Sequence, residues 1–99
     1  MAIAVTGEIP EEVYDTLNET MFGSKRPTEP IDGLVIHTVT KAPTGFRIFD
    51  VWESREAFEA FMNDRVMPAM DEAGMDMEGG QQPEMMELVH VIMNEEARV

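Results

Sequence analysis

The sequence predicts an α+β fold, with one four-stranded antiparallel sheet carrying two helices on one face, in the order β-α-β-β-α-β. Three observations predict it. Apolar residues recur at helical spacing over residues 10–22 and 55–73, while the segments between and around them are β-branched and aliphatic. Two of those β segments, 33–40 and 46–52, are separated only by the turn-forming KAPTG, which marks a hairpin. Both sides of that hairpin are apolar, although two helices can cover only one side.

Each element follows from its residues. Residues 2–6, AIAVT, form a short strand that Gly7 is expected to end. Pro10 suits the first turn of a helix, where Glu11 and Glu12 meet the positive end of the helix dipole. Val13, Leu17 and Met21 then repeat at i, i+4 and i+8, and Gly23 stops the helix. SKRPTEPID has two prolines and no periodicity, and is a loop. GLVIHTVT and FRIFDVW are the hairpin strands. Ser54 stands where a helix N-cap belongs. The second helix turns Phe58, Phe61, Met62, Val66, Ala69, Met70 and Ala73 inward, ends at Gly74, and should kink between residues 64 and 68 because Pro68 lacks an N–H. MDMEGGQQP is a loop, and EMMELVHVIM, residues 84–93, is the last strand. The order is that of the split βαβ, or ferredoxin-like, fold. Residues 1–99 make a single domain.

Composition excludes several functions. With 20 acidic against 7 basic residues and a net charge of −13, the chain repels nucleic acid and anionic membrane surfaces, which are bound through Lys and Arg. It has no cysteine, hence no disulfide, thiolate metal site or cysteine nucleophile. MAIAVTGEIPEE shows no basic segment followed by an apolar core, and no apolar run approaches the ~20 residues that span a bilayer, so the expectation is a soluble, cytoplasmic protein.

The hairpin also predicts a partner. Phe46, Ile48 and Trp52 point to one side and Phe49 and Val51 to the other, while Leu34 and Ile36 oppose Val35 and Val39. An open apolar sheet face is a patch of a size rare in monomers. A second copy is the simplest lid, giving a homodimer with the two sheets face to face.

From IDGLVIHTVT through GFRIFDVWESREAFEAFMNDRVMPAM to PEMMELVHVI, most of the chain resembles the dimeric α+β barrel superfamily that includes antibiotic biosynthesis monooxygenases. GEIPEEVYDTLNE also looks like the opening helix of small members, and VWES-x-EAF at a strand-to-helix junction is the most specific piece. The resemblance implies a homodimeric α+β barrel with one apolar pocket per subunit. Some relatives are cofactor-independent monooxygenases that deprotonate an electron-rich aromatic substrate, which then reacts with O₂. Others degrade haem through a histidine on the second helix. Here that helix has none, and Phe61 stands where the histidine is frequent, so haem ligation by this helix is not expected; the reading of the chain as a whole calls for no cofactor and no metal. This superfamily hosts unrelated chemistries, so the resemblance speaks to fold more than to activity.

Chemistry then rests on few residues. His37 and Asp50 both lie mid-strand among apolar neighbours on the same hairpin. Pairing 37 with 50 leaves a loop from Ala42 to Gly45 and puts both on one face; a slip of one residue separates them. Paired, they are candidate catalytic residues, with His37 as general base and Asp50 orienting its ring. The competing reading is a structural hydrogen bond between two polar groups that would otherwise be stranded. Trp52, Tyr14 and Phe61 are candidate substrate-binding residues: Trp52 as a flat wall or as core, Tyr14, one step off the Val13–Leu17 stripe, as a hydroxyl at a pocket mouth or as surface. His90 should lie on the opposite edge strand from His37, which argues against a two-histidine metal site within one subunit. Arg47 and Arg55 are candidates for binding an acidic substrate group, Arg55 reading more simply as surface. The ten methionines suit irregular packing better than copper. The leading expectation is a protein that binds a small apolar or aromatic molecule, with cofactor-independent oxygenation as the candidate activity. The alternative is a non-catalytic dimeric module for a ligand or protein partner.

Overall fold

The computed structural model describes residues 2–75 and 83–92. The elements are β1 (Ile3–Ile9), α1 (Glu11–Phe22), β2 (Leu34–Ala42), β3 (Gly45–Trp52), α2 (Arg55–Phe61), a π-helical turn (Met62–Val66), α3 (Met67–Glu72) and β4 (Glu84–Glu87). The strands form one antiparallel sheet in the order β2-β3-β1-β4, the ferredoxin-like arrangement, with β2 and β4 at its edges.

β1 runs on to Ile9 rather than stopping at Gly7, because Gly7, Glu8 and Ile9 pair with Ile48, Arg47 and Phe46, and Glu8 forms an ion pair with Arg47. Pro10 sits just before α1 in extended backbone and serves as its N-cap, while Gly23 at φ 75° ends it. Ser54 caps α2, accepting a hydrogen bond from the Ala57 N–H at 3.1 Å. The predicted kink is a π-helical turn: the Met67 N–H reaches back to the Met62 carbonyl, five residues away. Pro68 explains it, since a regular helix would bring its ring against the Asp64 carbonyl with no N–H to offer in return.

The helices cover the sheet face that carries the even-numbered residues of β3. Trp52 is buried with Val5 and Phe58, and Leu17, Val66, Ala69 and Met70 form a second cluster farther along. Phe61 and Met62 pack against both. Gly33, at φ 83°, lets this layer close, because a Cβ there would overlap that of Ala57.

On β2 the expected faces change. A bulge between Leu34 and Ile36 leaves Leu34 opposite Trp52 on the helix side and turns Ile36 to the opposite face, beside Val51. That opposite face carries a row Ile36–Val51–Ala4–Met86 across all four strands, with Phe49 next to it. Ala4 and Val51 are already buried between their neighbours, whereas Ile36, Phe49 and Met86 are exposed. β4 is shorter than the expected 84–93. Pairing ends at Glu87, followed by one further bond from the Leu88 N–H to the Ala2 carbonyl, because β1 begins at Ile3 and offers little more to pair with. Val89 and Ile92 stand exposed beyond it, and Met93 lies outside the described residues.

Candidate functional site

The site begins with strand register. His37 pairs with Asp50, and Ala42 pairs with Gly45, so Pro43 and Thr44 alone make the hairpin loop. Both side chains therefore lie on the helix side of the sheet, where His37 Nδ1 stands 2.6 Å from Asp50 Oδ1. Asp50 is buried, and its second oxygen accepts a hydrogen bond from the Trp52 indole N–H at 3.3 Å. A carboxylate only accepts, so the Nδ1–H of His37 donates to it and Nε2 of the neutral ring is left as an acceptor. Nε2 lies 2.8 Å from the Tyr14 hydroxyl, which donates to it when the ring is neutral. The result is a continuous chain of hydrogen bonds, Tyr14 to His37 to Asp50, with Trp52 on the far side of the carboxylate.

Each member is placed for a local reason. Tyr14 is buried rather than a surface side chain: α1 turns Tyr14, Leu17 and Asn18 inward as well as the Val13 stripe, and Tyr14 reaches across to the β2 edge. Its ring meets Phe46 edge-on, with centroids 5.6 Å apart, and lies nearly parallel to the His37 ring. His37 is the accessible member, its side chain 35 % exposed against 11 % for Asp50. Trp52 is 1 % exposed, packed against Phe58 and Phe61.

Phe61 lies elsewhere. It lines a cleft of about 480 Å³ between the loop preceding β2 and the second helix, together with Ile31, Ala57, Asp32, Glu53 and Asp64. The cleft borders the hydrogen-bonded chain through Trp52, whose ring centroid lies 5.4 Å from that of Phe61 and whose cluster Ile31 and Ala57 also pack against. His90 follows β4, on the edge of the sheet opposite His37. Among the described residues, no group of three or more His, Asp or Glu side chains converges as a metal site would require. Of the arginines, Arg47 pairs with Glu8 and Arg55 with Glu59. Met75 packs on the core and Met85 and Met86 lie exposed on β4, while Met77 falls outside the described residues.

Two residues with no sequence signature of function sit against this site. Arg26, in the loop after α1, lies over the Tyr14 and Phe46 rings. The buried Asn18 anchors that loop, donating to the Lys25 carbonyl at 3.0 Å. The signal for Asn18 was its i+4 spacing from Tyr14, which widens the buried stripe of α1; Arg26 carried none.

No protein-family model matches the sequence, and no curated protein matches it at a significant level. A search of solved structures finds a protein from Chloroflexus aurantiacus J-10-fl described as a candidate antibiotic biosynthesis monooxygenase, with a TM-score of 0.61 at 15 % identity. The match covers 94 % of this chain and 98 % of that one. The likeness is one of fold. It agrees with the resemblance carried by the hairpin and VWES-x-EAF, and it extends over nearly the whole chain. Among the described residues, no helix is long and apolar enough to cross a membrane.

Proposed function

We propose that two copies of the chain close their open sheet faces on each other as an α+β barrel, and that each binds a small apolar or aromatic molecule beside His37, which takes up a proton from it through the Tyr14 hydroxyl. One observation carries the reading: an accessible imidazole whose orientation and tautomer are set by a buried carboxylate on one nitrogen and a tyrosine hydroxyl on the other. The exposed Ile36, Phe49 and Met86 around Val51 support the pairing of copies.

The chemistry is proton abstraction. An acidic C–H or O–H of the ligand gives its proton to the Tyr14 oxygen as the Tyr14 proton passes to His37 Nε2, and Asp50 stabilises the imidazolium that results. Trp52 fixes the far side of Asp50, and with Phe61 it forms the apolar wall between the hydrogen-bonded chain and the cleft. The ligand anion is then electron-rich enough to react with O₂ directly, as in the cofactor-independent monooxygenases that the chain resembles.

Oxygen uptake with a panel of hydroquinones and anthrones tests this. Uptake is expected in the wild type and should fall by about 10²–10⁴-fold in His37→Ala, the usual contribution of a general base. Equal uptake in both proteins would remove His37 from the reaction. A second reading, a non-catalytic dimeric module binding a ligand or protein, is favoured by one observation: both imidazole nitrogens already have partners within the chain. Under it, His37→Ala costs stability and leaves ligand binding in place.

A further inference from the structure

We infer that Arg26 is a positioning residue whose guanidinium holds the Tyr14 ring in the orientation that delivers its hydroxyl to His37. This rests on the reading of His37 as the acting base, and extends it to the loop after α1.

Tyr14 is enclosed on three sides. Phe46 meets its ring edge-on and His37 takes its hydroxyl. Arg26 covers the ring on the solvent side, its Cζ 5.7 Å from the Tyr14 centroid and 5.4 Å from that of Phe46. A cation at that distance is attracted to the electron-rich face, and a planar guanidinium does this better than an ammonium.

The loop is built to keep Arg26 there. Arg26 Nη1 donates to Asp15 Oδ1 at 2.6 Å and to the Lys25 carbonyl at 2.8 Å, while its backbone N–H donates to Ser24 Oγ. Buried Asn18 holds the same Lys25 carbonyl from inside. A buried amide must find partners, and this one is spent on fixing the turn that carries Arg26. Tyr14, Asp15 and Asn18 all lie on α1, so one helix supplies the ring that is clamped and two of the groups that set the clamp.

This arrangement is a weak source of stability. Arg26 is 60 % exposed, and an exposed ion pair contributes little to folding. What the contact supplies is orientation: with Arg26 removed, the Tyr14 ring loses its outer wall and the bond to Nε2 opens part of the time.

The test is the imidazole ¹⁵N spectrum of the full chain, which contains only two histidines and one tyrosine. It is recorded for wild type, Tyr14→Phe, Arg26→Ala, Arg26→Lys and Asp15→Asn, each checked for native circular dichroism. Tyr14→Phe should displace the His37 Nε2 resonance and leave His90 in place. Arg26→Ala should displace it in the same direction with little change in unfolding midpoint. Arg26→Lys should fall nearer the wild type, and Asp15→Asn should give a smaller displacement of the same sign. A His37 resonance that moves in Tyr14→Phe but stays at the wild-type position in Arg26→Ala and Asp15→Asn overturns the role of Arg26 and leaves the hydrogen-bonded chain intact. A resonance that ignores Tyr14→Phe overturns both.

Discussion

Replacing Asp50 by Asn probes the site with almost no change of shape. Asp50 gives one oxygen to the His37 Nδ1–H and the other to the Trp52 N–H, and it is buried. An amide can serve only one of these donors with its oxygen. If the oxygen stays with Trp52, the NH₂ group faces Nδ1–H, two donors meet, and the ring must carry its proton on Nε2 instead. The Tyr14 hydroxyl then has to turn from donor to acceptor. If the oxygen stays with His37, the buried indole N–H is left without a partner. In the first case a hydrogen bond to a charged group, worth about 1.5–3 kcal/mol, gives way to a neutral one of about 1 kcal/mol. In the second, an unsatisfied buried donor costs about 1–3 kcal/mol. The two routes together therefore bracket a loss of about 0.5–3 kcal/mol. Urea unfolding at neutral pH measures it, with chain concentration held constant so that association does not alter the comparison. The midpoint should fall with an unchanged slope. The same sample should show His37 in the opposite tautomer, unless the loss is borne by Trp52. An unfolding free energy within about 0.5 kcal/mol of wild type, the range of ordinary surface substitutions, with the tautomer retained, would refute the geometry.

Phe49→Asp bears on the partner copy. Phe49 is 41 % exposed in one chain, so the variant should fold. Between two sheets, however, its carboxylate would be buried without a counter-charge, at a cost of several kcal/mol. Light scattering at micromolar concentration should give about twice the chain mass for wild type and the single-chain mass for the variant; a wild type that is monomeric contradicts the barrel. Gly33→Ala should destabilise by about 1–3 kcal/mol in thermal or urea unfolding, since φ is 83° and the new Cβ overlaps Ala57. Gly23→Ala, at φ 75° with open space around it, should cost less, and equal losses would mean that the contact with Ala57 is of no account. Ser54→Ala should cost about 0.5–2 kcal/mol by loss of the cap on α2.

Much of this fold could be read directly from residue patterns. Pro68 marked the break in the second helix, Ser54 its start, and KAPTG the hairpin, while the register stayed open by one residue until the pairing of Ala42 with Gly45 set His37 against Asp50. What escaped was set by tertiary context. Gly7 reads as a strand end, but continued pairing to β3 carries β1 through it. The bulge at Leu34 and Ile36 leaves no mark in an aliphatic run, since GLVI satisfies either face. EMMELVHVIM has the composition of a ten-residue strand, yet its neighbour β1 is too short at that end to pair with it beyond Glu87. Tyr14 sat one step off an apolar stripe, and only the crossing of α1 over the sheet brings it to His37. Trp52 belonged to either of its two readings by sequence; its position between Phe58 and Phe61 and under Asp50 makes it the core that supports the carboxylate.

The most direct test of proton transfer to His37 is the absorbance of 4-nitrophenol bound to the protein, at a pH where the free probe is largely protonated. The probe is a small aromatic acid whose ionised form is yellow. Wild type should bind it and raise the phenolate band, and His37→Ala should bind it with the band lost. Binding with no phenolate in the wild type, or with the same phenolate in both proteins, would contradict the account.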